Sequence, residues 1–182
     1  MSKLLIVAQA VAPIGGSHST RVTNFVRHLS AMGWDVTILT TCIYKGTPNL
    51  DADLFDKFPP NLTFVYSYPG PMHALSYRKL SSRPNRASKS SSLLKKVLIP
   101  DTYIEWLPGA CFSAIKHYKK KSKPDVILSS AVPYTSHLIA LILSKLWHVP
   151  FVADYGDPWV FDPGRPKVGF RFFLNITLKK WF

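Results

Sequence analysis

Apolar residues fall along this chain in short unbroken runs that alternate with stretches of helical spacing. Leu4 to Ala8 is a continuous apolar run of strand length, the pattern of a central parallel strand covered on both faces. A turn containing Pro13, Gly15 and Gly16 follows. From Ser19 the period becomes helical: Val22, Phe25, Val26, Leu29 and Met32 share one side, while Arg21, Asn24, Arg27 and His28 take the other. Ser17 or Ser19 is expected to cap this helix, Gly33 to close it in the left-handed conformation, and Val36 to Thr41 to form a second strand.

Leu62 to Ser67 reads as a third strand introduced by Pro59, Pro60 and Asn61. A helix is expected from near Glu105, with Pro108 tolerated in its first turn and Leu107, Cys111, Ala114, Ile115 and Tyr118 as its apolar stripe. The lysines between Lys116 and Lys123 suit its C-terminal end. Asp125 to Ser129 is a strand, followed by a turn at Pro133 and a helix from about Tyr134 to Trp147. Its apolar residues run nearly all round, which predicts a buried helix. Phe151 to Asp154 is a further strand, and after Pro166 the residues Phe170, Phe173, Leu174, Thr177 and Trp181 recur at helical spacing. Strands alternating with helices predict an α/β fold, a Rossmann-like doubly wound parallel sheet.

Composition bounds this picture. A chain of 182 residues that is 47% hydrophobic and 13% aromatic can bury one sizeable core, so a single domain over 1–182 is expected. Cys42 and Cys111 lie far apart with no metal-ligand spacing around them, which argues against a disulfide scaffold or a zinc ribbon. The apolar run Leu138 to Leu143, like every other in the sequence, is too short to cross a bilayer. The segment at about 70–100 differs from the rest: between Arg78 and Lys96 it carries seven Lys or Arg and no acid, among many serines, and reads as a mobile basic loop.

In a doubly wound sheet, ligands bind beyond the carboxyl ends of the strands, which directs attention to Gly15–Ser19, Ser130–Tyr134 and Asp154–Trp159. Gly15 and Gly16 would let a ligand approach the backbone at a helix start that favours anions, with Ser17, His18 and Arg21 beside it; a plain tight turn is the competing reading. The third glycine of a dinucleotide fingerprint is missing, and the second strand ends in Thr40, Thr41 and Cys42 where a ribose-binding acid would stand. No Gly-Lys-Ser/Thr phosphate loop and no Gly-flanked serine elbow occurs. In "ADYGDPW", Asp154 and Asp157 can accept hydrogen bonds from hydroxyls, or one can act as a general base; Trp159 offers a flat surface to a sugar face. Turn capping by Asp157 before Pro158 competes with that role. His137 taken alone reads as a structural histidine.

The stretches "LLIVAQAVAPIGGSHSTRVTNFVRHLSAMGWDVTILTT" and "PDVILSSAVPYTSHLIALILSKLWHVPFVADYGDPW" resemble the N-terminal domain of family 4 glycosyltransferases, which have the GT-B fold. The resemblance covers both ends of the chain and skips the basic loop. It implies an acceptor-binding domain that works with a second Rossmann-like domain holding a nucleotide-sugar donor, with retention of anomeric configuration and no obligatory metal or other cofactor. It places Gly15 and Gly16 near the donor diphosphate, and Tyr134, His137, Asp154, Asp157 and Trp159 toward the acceptor. Two features depart from the family pattern. The paired glutamates of the donor domain have no counterpart, since Glu105 is the single glutamate here, and Val132, Pro133 and Tyr134 stand where many relatives carry a histidine. The donor-binding C-terminal domain is therefore expected outside this sequence, in the remainder of a longer chain or in a partner.

The formal charge of +13 raises nucleic-acid binding as an alternative, but no recognisable binding motif and no aromatic-interleaved basic strand accompanies it. An anionic membrane surface is the expected partner, with a solvated loop that only aids solubility as the competing reading. Arg78, Lys79, Arg83, Arg86, Lys89, Lys95 and Lys96 lie in a segment that also carries Leu93, Leu94, Val97, Leu98 and Ile99, the composition of an interfacial contact. A lipid-linked saccharide would then be within reach. Together these readings predict a peripheral enzyme of the cytoplasmic membrane face, active in surface polysaccharide or glycolipid assembly, with Asp157 activating the acceptor hydroxyl.

Overall fold

The computed structural model describes residues 1–43, 47, 49–75 and 98–156. Five parallel strands form one sheet in the order β3-β2-β1-β4-β5: β1 (Lys3–Val7), β2 (Asp35–Thr41), β3 (Thr63–Ser67), β4 (Val126–Ser130) and β5 (Phe151–Asp154). Helix α1 (Ser17–Ala31) joins β1 to β2, α2 (Trp106–Tyr118) precedes β4, and α3 (Thr135–Trp147) joins β4 to β5. Alternation along β1 and β2 divides the core. Leu4, Ile6, Val36 and Ile38 pack on one face with Val22 and Val26 of α1. Leu5, Val7 and Leu39 pack on the other with Trp106, Ala110 and Ala114 of α2 and Ile139, Ala140 and Leu143 of α3. Helices on both faces of an all-parallel sheet make this the Rossmann-like doubly wound fold, and the order of strands reverses direction between β1 and β4.

Every expected strand forms, with ends moved by one residue at most. Several local expectations need correction. Neither Ser17 nor Ser19 caps α1: Gly16 occupies the cap position at φ 125°, where only glycine sits without strain, and Ser19 turns into the core. At its other end α1 closes as expected, Gly33 donating to Ser30 and Trp34 to the carbonyl of Leu29, the two bonds of a Schellman motif. The buried seam of α2 is Trp106, Ala110, Ala114 and Tyr118, with Leu107 and Cys111 of the expected stripe partly buried beside it; Ile115 is the exception, 42% exposed. Helix α3 is buried on one side only, with Ile142 and Leu146 exposed. Residues 71–75 form a helical turn at the start of the stretch expected to be loop. Glu105 explains this turn: its carboxylate accepts the backbone N–H groups of Met72 (2.9 Å) and His73 (2.8 Å), and lies 2.5 Å from His73 Nδ1. The seven basic residues assigned to a membrane surface fall in 76–97, outside the described residues, as does the segment after Pro166.

Candidate functional site

The carboxyl ends of β1, β4 and β5 meet the start of α1 in one polar cluster. Asp154, the last residue of β5, accepts a hydrogen bond from the Ser130 hydroxyl at 2.8 Å, and the Arg21 guanidinium stands 3.6 Å from the same oxygen. Both charged groups remain partly open, 37% for Arg21 and 19% for Asp154. Solvent reaches this pair, so its contribution to stability is small, and both side chains can exchange their mutual contact for one with a ligand. Arg21 projects from the first two turns of α1, and the Schellman closure and the Val22–Val26 seam fix that helix against the sheet.

Behind this pair lies a second, fully buried layer. His137, in the first turn of α3, shares a 2.7 Å hydrogen bond between Nδ1 and the Ser129 hydroxyl, and its ring leans on Tyr155 at 4.6 Å. Burial pushes the imidazole down to about 4, with the Asp154 carboxylate partly opposing the shift, so it is neutral at physiological pH. A serine hydroxyl beside a histidine is the pairing of a nucleophile with its base, but Ser129 and His137 are both 0% exposed. Their contact positions the floor of the site and offers no group to a substrate. Asp101 fixes this layer from the far side: it accepts hydrogen bonds from Tyr103 N (2.9 Å), Thr135 N (3.0 Å) and Thr135 Oγ1 (2.7 Å), so it caps α3, whose own cap residue Tyr134 supplies no side-chain bond.

The expected site residues are thus distributed over two depths. Gly16, Ser17, Arg21 and Asp154 share the rim, and Tyr134 and His137 lie beneath the surface. His18 is half-buried in the first turn of α1. The two glycines differ. The space that Gly15 leaves is used by the chain itself: its N–H donates to the Asn49 carbonyl at 2.7 Å, and a Cβ there would meet that same oxygen at 3.1 Å. Gly16 faces open space. Asp157 and Trp159 lie outside the described residues. Ser130 belongs to the strand-tip segment the sequence points to, but Asp101 and Glu105 have no such signal as site residues. Asp101 after Pro100 carries a turn signal, but nothing local points from it to Thr135.

Gly156 supplies the last piece of geometry. A Cβ at this position would overlap the Arg21 guanidinium, the far end of a flexible side chain that can swing away. Gly156→Ala is therefore expected to leave the unfolding free energy within about 0.5 kcal/mol of the wild type while displacing the guanidinium from Asp154. The Arg21 side-chain Nε–H resonance checks this: it should move, and an unmoved resonance would show that the guanidinium does not depend on the missing Cβ.

Chemically, the rim can accept hydroxyl protons at Asp154 and hold an anion at Arg21, next to the start of α1. The thiols add nothing nucleophilic: burial raises Cys42 and pushes Cys111 up to about 11, so both are protonated at neutral pH. Among the described residues no group of three His, Cys, Asp or Glu could hold a metal ion, and no helix is long and apolar enough to cross a membrane. Fold and site together define a Rossmann-like α/β domain with a polar cluster at its strand tips. No protein-family model matches the chain, and no curated protein does. Among solved structures, the C-terminal domain of a hydrogenase from Pyrococcus furiosus is similar at 11% identity and a TM-score of 0.45, over 84% of this chain and 90% of that one.

Proposed function

We propose that this chain is the acceptor-side domain of a GT-B glycosyltransferase that moves a sugar, with retention, from a nucleotide-sugar to a saccharide or lipid-linked acceptor. The observation that carries the reading is the pairing of Arg21 with Asp154 across the strand tips, beside the open backbone of Gly16. It supports a crevice with an anion-binding side and a hydroxyl-binding side, as an activated sugar and its acceptor require. In this reading Arg21 and the start of α1 attract the donor phosphates, Asp154 orients an acceptor hydroxyl, Asp157 takes its proton, and Trp159 stacks on the sugar. The buried Ser129–His137 layer keeps Asp154 and Ser130 in place. The donor nucleotide would be held by a second domain, and the basic residues between Arg78 and Lys96 would bring the enzyme to the anionic cytoplasmic face of a membrane, where assembly of surface polysaccharide or glycolipid takes place.

The test is sugar transfer by the enzyme assembled with its donor half. Asp157→Ala is expected to lower transfer by about 100-fold or more, the usual contribution of a positioned proton acceptor. Asp154→Ala is expected to weaken acceptor binding chiefly through KM. Full activity in both variants removes the assignment. Sedimentation with anionic vesicles reads the membrane part separately: neutralising the seven basic residues should abolish co-sedimentation, and unchanged binding defeats that part alone.

A further inference from the structure

The outer faces of α2 and α3 carry apolar side chains that the core does not use. Both helices pack on the same face of the sheet. Their C-terminal ends lie side by side, the ring of Tyr118 meeting that of Trp147 edge-on at 5.2 Å between centroids. Counting back one or two turns from this contact sets Phe112 and Ile115 of α2 level with Ile142 and Leu146 of α3. Phe112 points away from the buried seam of Trp106, Ala110, Ala114 and Tyr118 and is 68% exposed, with Ile115, Ile142 and Leu146 exposed beside it. Single exposed apolar residues are ordinary on a protein surface, but four gathered on two adjacent helices make a patch.

The charge around this patch has one sign. Lys116 and Lys119 follow Phe112 and Ile115 at i+4 spacing, so they share the same side of α2, and both are exposed. Neither helix contains an Asp or Glu, and between Trp106 and Ala153 the sequence has six lysines and one acid. That acid, Asp125, accepts the backbone N–H of Lys3 at 2.7 Å. The negative end of α2 favours lysines in its last turn and accounts for part of the cluster. It does not account for Phe112, which the fold leaves in water. A second copy of the chain on this face would set lysine against lysine in a molecule already at +13. A nucleic acid would neutralise the lysines but gains nothing from isoleucine and leucine side chains. An anionic bilayer matches both parts: apolar side chains enter the boundary between headgroups and acyl chains, while lysine stems lie along them and carry the ammonium groups to the lipid phosphates.

We propose that the outer face of α2 and α3 rests on an anionic phospholipid surface, with Phe112, Ile115, Ile142 and Leu146 inserted and Lys116 and Lys119 at the headgroups. The inference shares the membrane with the proposed function but rests on neither the transferase chemistry nor the basic residues between Arg78 and Lys96. Co-sedimentation of the full chain with mixed phosphatidylglycerol–phosphatidylcholine vesicles, and with phosphatidylcholine alone, tests it. Binding to the neutral vesicles should be weaker by about tenfold or more. Phe112→Ser/Ile142→Ser and Lys116→Gln/Lys119→Gln should each weaken binding to the anionic vesicles by about tenfold or more, through the apolar and the ionic part respectively. All four positions are exposed, so both double variants should keep the wild-type circular dichroism and unfolding midpoint. Wild-type affinity in either double variant, or equal affinity of the wild type for neutral vesicles, would overturn the proposal. So would a dimer in sedimentation equilibrium that Phe112→Ser/Ile142→Ser converts to monomer, since the face would then belong to a second copy. Neutralising the basic residues between Arg78 and Lys96 separates the two contacts. Loss of binding there, with both helix variants unaffected, keeps the earlier assignment and removes this one; the converse keeps this one alone.

Discussion

Acidification from pH 7 to pH 4 is expected to cost this protein about 3 kcal/mol of stability through His137 alone, since its imidazole is held down to about 4 in the fold and ordinarily titrates near 6.5. Between those values the unfolded chain binds a proton that the native state refuses. The contribution is therefore complete above pH 6.5 and is lost as the pH falls toward 4. The cause is burial: the ring is fully enclosed between Ser129 and Tyr155, and the Asp154 carboxylate recovers part of the cost of charging it. His137→Gln removes the titration. Aspartates also begin to protonate in this range, so the measurement is the difference between the two proteins in urea unfolding at pH 6.5 and 4.5. The wild type should lose about 2 kcal/mol more than the variant across that interval. A difference below about 1 kcal/mol would mean that His137 takes up its proton inside the fold. Because the same ring supports Ser129 and lies against Tyr155, the loss begins beneath the strand-tip cluster.

That cluster was only partly legible in the sequence, and the division has a physical basis. β1, α1 and β2 follow from period and turn chemistry, since each is dictated by residues within a few positions of one another. The same locality reveals Asp154 and the glycine turn as residues at strand ends. It cannot reveal that Arg21 meets Asp154, or that Ser130 supplies the hydrogen bond behind it, because those contacts arise only when the sheet is ordered β3-β2-β1-β4-β5. Gly15 shows the ambiguity in another form. A missing side chain signals close approach by something, and here it is the chain's own Asn49 carbonyl. The seam of α2 differs from the expected stripe at Ala110, which carries little hydrophobic signal and is buried, and at Ile115, which carries a strong one and is left at the surface. Glu105 and Asp101 were missed because each works across more than thirty residues, clamping 71–75 and α3 to the stretch between them.

Trp106→Ala is expected to be the most damaging single substitution among the core positions, at about 3–5 kcal/mol. The indole is 0% exposed, lies in the cluster with Leu39, Val65 and Ala110, and donates from Nε1 to the Ser67 hydroxyl at 2.7 Å. Ser67 in turn donates to the Thr40 carbonyl at 2.8 Å, so the ring joins α2 to the ends of β3 and β2 through a hydrogen-bonded chain. Truncation removes the buried area, leaves a void under α2 that small neighbours cannot fill, and takes away one partner of Ser67. Against a typical total of about 5–15 kcal/mol, such a loss approaches the limit for a folded protein. Trp106→Phe separates the terms, keeping most of the ring volume while losing the N–H, and should cost about 1–2 kcal/mol. Urea unfolding of both variants at pH 7 measures the pair. Equal losses would assign the effect to the hydrogen bond, and a loss below about 1 kcal/mol for alanine would show that α2 does not depend on this anchor. Trp106 directly follows Glu105, so the alanine variant should also loosen the hold of Glu105 on 71–75, seen as faster amide exchange at Met72 and His73.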